Sequence, residues 1–221
     1  MKKGKTVTIK NCRIYLVGII HGLEREGDRV KNAFEMIQPD CFALGVPEED
    51  IVTIKKFVRD NIEFDMSPEQ ARFFECLSRY GKVSIPPSDL VVSHKLSVKE
   101  DIPLEALDID DEHYADIFAK NVSLISFIWN SKKNKELRKK KFTAGTAEEF
   151  VEEWERNFNS TKPFKAIEKA RERNMASRLF DLASQYERIL AVIPYQRFDG
   201  VLDELIALKK HKNGGGITTW R

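Results

Sequence analysis

The chain has 221 residues, a length that suits one domain with an appendage, and its 37 basic and 35 acidic side chains provide no overall field for a polyanionic partner. Three widely spaced cysteines, Cys12, Cys41 and Cys76, form neither a metal-binding pair nor a disulfide framework. Because no long apolar run and no secretory signal occurs, we expect a cytoplasmic protein without a membrane span. Many Lys and Glu with only four glutamines favour a heat-adapted source.

The first part of the chain predicts a hairpin followed by a βαβ unit. Residues 6–9 and 13–17 predict two strands joined by a turn, and the second strand ends at Gly18. A helix over about 23–38 leads to a short apolar strand at 41–44. Strand, helix and strand with tight joints indicate parallel strands and a right-handed crossover.

The next stretch predicts one helix and two strands. Ser67 and Gln70 form a capping box that begins a helix, and Gly81 marks its end. Residues 82–85 predict a short strand. Residues 103–108 predict another strand, which ends in a cluster of acidic residues.

The middle of the chain predicts a helical insertion. Residues 115–129 are apolar and predict a helix that runs into the basic segment 132–141, which carries seven positive charges. Thr146 and Glu149 form a second capping box, which begins a further helix. We interpret residues 115–160 as a helical insertion or cap over the sheet.

The last third of the chain returns to an α/β pattern. A long helix begins at Pro163, a strand covers 188–193, and a final helix covers 199–209. The sequence therefore predicts a single α/β domain over residues 1–212, with a mainly parallel sheet flanked by helices. Residues 213–221 are predicted to be a flexible tail.

Chemistry is expected at the carboxyl ends of the strands, where ligands bind in an open α/β sheet. A histidine directly after a strand can be a metal ligand or a general base, and nearby carboxylates can complete a metal site or orient the imidazole. The alternative is a histidine that makes only a structural hydrogen bond. The three strand ends carry Gly18 and His21, then Asp108 and Asp110, and then Tyr195, Gln196 and Arg197.

Five segments of the chain carry a family resemblance. They are Gly18-Ile19-Ile20-His21, a Gly-x-x-His motif after the first strand; Gln38-Pro39-Asp40, before the second strand; Leu107-Asp108-Ile109-Asp110, similar to an Asp-Arg-Asp motif; residues 170–176, similar to an Arg-Asp-x-x-Met-Ala helix; and residues 188–200, similar to a final strand with a second Gly-x-x-His loop. In this order they resemble the motifs of the TraB family, which includes pheromone-shutdown proteins and TIKI-type proteases. The resemblance spans about residues 13–205 and implies an α/β fold.

The sequence departs from the family pattern at four positions. Gly45 stands where the family has a glutamate after the second strand, and Arg197 stands at the place of the second histidine. Ile109 replaces the arginine between the two aspartates, and Glu172 replaces an aspartate. The loss of one histidine and one glutamate removes two metal ligands or acid–base groups, which leaves His21 as the metal ligand that the resemblance implies.

Two functions from different classes follow, and the missing second histidine favours the first. In the first function, the chain is a degenerate, non-catalytic member of the fold. It binds a small anionic ligand or a protein partner through Gly18, Tyr195, Gln196 and Arg197. Arg171 and Arg197 would present fork-shaped donors to a carboxylate or phosphate. The alternative for these arginines is that Arg171 pairs with Asp108 or Asp110 as a buried structural link and that Arg197 is merely exposed.

The second function is that of a hydrolase or peptidase-like enzyme. The resemblance implies that its catalytic residues are His21, Asp108, Asp110, Arg171 and Glu172. Its cofactor is unknown, and a divalent metal held in part by His21 is the candidate. Substrate and oligomeric state do not follow from the sequence.

The basic segment 132–141 could steer RNA, DNA or an acidic membrane surface. No RNA-binding aromatic motif and no zinc finger accompanies it, so the pattern favours a solvated helix end and loop. Nucleic acid is therefore not an expected partner.

Overall fold

Among the residues that the computed structural model describes (4–60, 66–137, 139–212 and 217–218), six strands form one sheet in the order β4-β3-β5-β2-β1-β6. The elements are β1 (Gly4–Ile9), β2 (Cys12–Ile19), α1 (Arg25–Ile37), β3 (Cys41–Leu44), α2 (Glu48–Asp60), α3 (Pro68–Leu77), α4 (Ser88–Glu100), β4 (Leu104–Ala106), α5 (Asp111–Asn121), α6 (Leu124–Leu137), α7 (Ala147–Phe158), α8 (Lys162–Leu182), β5 (Arg188–Pro194), α9 (Phe198–Lys212) and β6 (Ile217–Thr218). Helices pack on both faces of the sheet.

The four strands β4, β3, β5 and β2 are parallel, as the βαβ pattern predicts. At one side, β1 pairs antiparallel with β2 in the predicted hairpin, which turns at Lys10 with a φ of 51°. β3 and β5 are buried almost throughout because helices cover both faces of this part of the sheet. The α/β prediction with a mainly parallel sheet is confirmed.

Each face of the sheet has its own core, because successive side chains of a strand point to opposite faces. Ile14 and Leu16 of β2 pack with Met175 and Leu179 of α8 and Val201 of α9. On the other face, alternate residues of β2 and β5 pack with α1, α2 and α4. Helices therefore cover both faces of the sheet.

A third cluster of buried residues lies over the carboxyl ends of β2 and β5. Ile20, Leu23 and Tyr195, which follow these strands, pack with Leu77 of α3 and Phe150 of α7. Phe150 is fully buried and also contacts the rings of neighbouring aromatic residues. Helices of the predicted insertion thus do cover the sheet edge, and α3, which precedes the insertion in sequence, packs with them.

Several elements differ from the sequence prediction. The strand predicted at 82–85 is wrong, since Val83 forms only an isolated bridge with Leu23. The helix predicted at 115–129 is divided between α5 and α6, where the backbone NH of Ser126 donates to Ser123 Oγ. Helices α2 and α4 were not predicted.

Residues 217–218 form a short strand beside β1. Ile217–Thr218 pairs antiparallel with Thr6 and Val7, so these two residues of the expected flexible tail belong to the sheet. Residues 213–216 and 219–221 of that tail lie outside the described residues. Within the described part of the chain, each helix is too short or too polar to cross a membrane.

Candidate functional site

His21 lies in the turn after β2 and is held by a buried aspartate. Its Nδ1 is 2.6 Å from Oδ2 of Asp89, which lies in the first turn of α4 and has no exposed side-chain surface. The next residue, Gly22, has a φ of 99°, and a Cβ there would lie 2.3 Å from the ring of Phe74. The turn therefore requires glycine at position 22. The conformation of this turn directs the side chain of His21 toward Asp89.

The second nitrogen of His21 is buried and has no hydrogen-bond partner among the described residues. The side chain as a whole keeps 21% of its surface exposed, yet Nε2 is covered. Oδ1 of Asp89 is also buried without a partner. Buried polar atoms are nearly always satisfied, so such an exception calls for a functional or structural explanation.

Three carboxylates determine the charge of His21. Burial of the ring opposes its positive charge, but Asp89, by its charge and its hydrogen bond, together with Asp50 and Glu26 raises the pKa of His21 above 6.5. Burial also raises the pKa of Glu26, against the effect of Arg29, whose Nη1 lies 3.3 Å from the Glu26 carboxylate. The surroundings of His21 therefore favour a cation, either the protonated ring or a positively charged group of a ligand.

Asp50, in the first turn of α2, interacts electrostatically with His21 and with Asp108 at the end of β4. The residue is exposed, yet partial desolvation raises the pKa of its carboxyl, as do Asp108 and Asp111, while His21 lowers it. Asp50 is therefore an accessible titratable group beside the covered histidine.

Asp108 and Arg171 form a buried ion pair at the end of β4. The Asp108 side chain is 1% exposed and accepts bonds from Arg171 Nε at 3.1 and 3.0 Å, from Arg171 Nη2, and from the backbone NH of Ile109 at 2.8 Å. Burial opposes the charge of Arg171, but Asp108 and then Glu168 raise its pKa. This is the pairing that the sequence offered as the alternative to anion binding by Arg171.

Arg197 is buried rather than exposed, so the alternative of an exposed Arg197 is wrong. It is 5% exposed, and its Nη1 contacts Oε2 of Glu168 on α8. Since Glu168 Oε1 lies 3.5 Å from Arg171 Nη1, one carboxylate bridges the two guanidinium groups. Both arginines are thus already paired with acids, which leaves neither as a free fork for an anionic ligand.

The structure disperses the remaining predicted residues. Asp110 caps α5, pairs with His113 and is 41% exposed. Glu172 lies against Gly200 at the start of α9 and pairs with Lys169 at 3.3 Å, on a different side of α8 from Arg171. Neither residue joins the group around His21.

The predicted ligand-binding residues lie mostly inside the protein. The Gly18 carbonyl accepts a 2.5 Å bond from Nη1 of Arg29, and Gly18 pairs with Ile193 within the sheet. Tyr195 is 6% exposed within the cluster over the strand ends, and Gln196 is half-buried. These residues support the fold around His21 and do not line an open surface.

Gly45 has a steric reason to be glycine. A Cβ at this position would lie 2.5 Å from Cδ of Pro194 on the adjacent strand β5. Gly45 stands where the TraB pattern has a glutamate, and Pro194 stands where its second Gly-x-x-His motif has the glycine. Glu49 accepts a bond from the backbone NH of Asp111 at 3.3 Å and does not take the place of that glutamate beside His21.

The described residues contain no group of three His, Cys, Asp or Glu side chains placed to hold a metal ion. A first-row metal in a catalytic site ordinarily has three protein ligands. The donors around His21 therefore do not fit a resident metal.

An open cleft of about 520 Å³ lies at the end of β4, beside the Asp108 and Arg171 pair. Asp108 and Asn174 lie on its wall, and Glu48, Asp110 and Arg178 are among the charged residues around it. His21 does not line this cleft. The carboxyl edge of the sheet thus carries two distinct features, a covered His–Asp pair and an open cleft.

Three residues of the site, Asp89, Asp50 and Glu168, were not predicted from the sequence. Asp89 follows Pro86-Pro87-Ser88, a pattern that begins a helix and places an acid in its first turn. Asp50 closes the acidic run Glu48-Glu49-Asp50 at the start of α2. Recognition of these two helix starts could have found both acids.

No protein-family model matches the chain, and no curated protein is detectably similar to it. The TraB resemblance therefore stays a prediction from the sequence.

Proposed function

We propose that the chain is a hydrolase-type enzyme in which His21 is the general acid. The observation that carries the proposal is the 2.6 Å contact of His21 with the fully buried Asp89, which leaves Nε2 without a partner. A His–Asp pair with a buried acid fixes the orientation of the ring and stabilises its protonated form. This pair supplies acid–base chemistry without the second histidine, whose absence had favoured a degenerate protein.

The contact with Asp89 and the raised pKa of His21 support a role as proton donor. When Nε2 gives its proton to a leaving group, Nδ1 retains its bond to Asp89. The rate should therefore fall as the pH rises through the folded-state pKa of His21.

The substrate bond that the TraB resemblance implies is an ester or amide. The paired state of Arg171 and Arg197 supports a substrate that is uncharged or cationic near the reacting bond. The covered position of Nε2 means that substrate binding must displace the groups over His21.

The proposal is tested with a panel of chromogenic esters and fluorogenic peptides on the full chain. We expect His21→Gln to lower kcat/KM by about 10²- to 10⁴-fold, the usual contribution of a general acid. We expect Asp89→Asn to move the alkaline limb to lower pH, because the acid that raises the pKa of His21 is lost. His113→Gln removes a histidine from an exposed His–Asp pair and serves as the matched control. Equal activity of His21→Gln and wild type on every cleaved substrate would refute the assignment.

A second candidate, a ligand-binding protein without catalysis, is favoured by the open cleft at the end of β4. Because Glu48 and Asp110 are at this cleft, the favoured ligand carries an amine rather than the anion expected from the sequence. Thermal-shift measurements with matched amines and carboxylates test this candidate. Stabilisation by amines that Glu48→Gln abolishes, with no hydrolysis in any assay, would replace the enzyme proposal.

A further inference from the structure

The outward face of the first half of α6 is apolar and uncovered. Leu124 is 81% exposed, Ile125 70%, Ile128 53% and Trp129 69%. Their spacing places these four residues on one side of the helix, and this side is the α6 face. Asn130, in contrast, is buried against the protein with 6% exposure. The helix therefore presents its apolar side to solvent and a polar residue to the interior, and a contiguous exposed apolar patch marks an interaction site.

The same side of α6 carries more basic than acidic side chains in its second half, where exposed Glu136 is its one acid among the described residues. Lys132 and Lys135 are exposed and follow Leu124 and Ile128 at helical spacing, eight and seven residues later. Exposed Lys139 lies just beyond the helix end. An apolar surface and a cationic surface are thus contiguous along one helix.

Internal contacts fix α6 on α7, so that the α6 face keeps its direction. Nζ of Lys133 contacts the Asn157 carbonyl and Oγ of Ser160. Nζ of Lys140 lies 2.8 Å from Glu153 of α7. These two lysines of the basic segment make contacts within the protein, whereas Lys132, Lys135 and Lys139 form no ion pair with the other described residues.

We infer that α6 attaches the protein to the surface of an anionic lipid bilayer. The α6 face enters the boundary between headgroups and acyl chains, and the exposed lysines contact lipid phosphates. Trp129 lies at the junction of the apolar and cationic halves, a position that suits an indole ring at a membrane interface. The charge of the second half selects an anionic bilayer over a neutral one.

A second copy of the chain fits this surface less well. In a two-fold dimer with antiparallel α6 helices, the lysines of each copy face the apolar half of the other. In a dimer with parallel helices, the lysines of the two copies face each other and repel. An anionic bilayer accommodates the apolar and the cationic half at once.

The test is co-sedimentation of the full chain with vesicles of phosphatidylcholine alone or mixed with phosphatidylglycerol. We expect binding to the anionic vesicles that weakens with salt, and a blue shift of tryptophan fluorescence that is absent in Trp129→Phe. The combined change Ile125→Ser, Ile128→Ser and Trp129→Ser should abolish binding.

The lysines and the controls are tested in the same assay. Lys132→Gln, Lys135→Gln and Lys139→Gln should each weaken binding to anionic vesicles by about fivefold. Two changes elsewhere serve as matched controls and should leave binding unchanged: Val98→Ser, at a site 67% exposed on α4, and Lys31→Gln, at an exposed site on α1. Circular dichroism checks that each variant is folded.

Three results would overturn the inference. The first is equal or no binding to the two kinds of vesicle, and the second is binding that survives the triple serine change. The third is a dimer in analytical ultracentrifugation that the serine change dissociates, in a protein that does not bind vesicles. That last result would assign the α6 face to a second copy of the chain.

Discussion

Asp108 is the residue at which the loss of one charge should most affect stability. Asp108→Asn keeps the shape of the side chain but leaves the Arg171 guanidinium, 24% exposed, without its main counter-ion. We expect the free energy of unfolding to fall by about 3 kcal/mol, the lower end of the range for breaking a buried pair, because Arg171 retains Glu168 and some solvent. Urea unfolding followed by circular dichroism measures the change.

Asp110→Asn is the matched control for this prediction. Asp110 lies two residues away, is 41% exposed and caps α5, a position where asparagine serves about as well as aspartate. Its replacement should change the free energy of unfolding by less than about 0.5 kcal/mol. Similar losses in the two variants would show that the buried pair of Asp108 and Arg171 contributes no more to stability than the exposed Asp110.

The sequence identified His21 and the Asp108 pairing more readily than the rest of the site. A glycine-bounded turn after a β-rich run placed His21 at a strand end, and Asp108 followed a predicted strand. Asp89 was not predicted because it lies 68 residues from His21 in the sequence, on a helix that was itself not predicted. Arg197 also differed, since a polar loop after a strand gives no sign that a half-buried glutamate on α8 will pair with it.

At the scale of elements, the fit between β3 and β5 depends on a glycine facing a proline. Gly45→Ala would bring its Cβ to about 2.5 Å from Pro194 Cδ, so the strands must shift. We expect a loss of about 1–3 kcal/mol in the free energy of unfolding, the usual range for overpacking. Thermal and urea unfolding both report it.

The double variant Gly45→Ala with Pro194→Ala tests the cause of that loss. Alanine at 194 lacks Cδ, so the double variant should be more stable than the sum of the two single changes predicts. Strictly additive losses would mean that the contact between Gly45 and Pro194 is not the source of the strain.

The elements that sequence reading missed share a physical cause. α4 buries Ser93 and Ser97, whose hydroxyls donate to the carbonyls of Asp89 and Ile102 at 2.7 Å. Because these buried serines look polar in the sequence, the apolar periodicity of the helix is hidden. The break between α5 and α6 depends on Ser123, a cap within a continuous apolar run. The central strands were predictable because β3 is apolar throughout and β5 is apolar from Ile189 onward.

For the molecule as a whole, His21 should make stability depend on pH. Its folded-state pKa lies above 6.5, so protonation of His21 contributes stability that is fully present below about pH 6.5. This contribution is lost as the pH rises through the folded-state pKa. The difference in free energy of unfolding between wild type and His21→Gln should therefore shrink from pH 6 to pH 9. A difference that stays constant over this range would contradict the prediction.

NMR titration of the histidine rings shows whether Asp89 holds His21 as a proton-donating group. We expect His21 to titrate above 6.5 in the wild type and Asp89→Asn to lower its pKa, while the pKa of His113, which depends on Asp110, stays unchanged. A wild-type pKa for His21 at or below 6.5, or one that Asp89→Asn leaves unchanged, would disprove this role of Asp89.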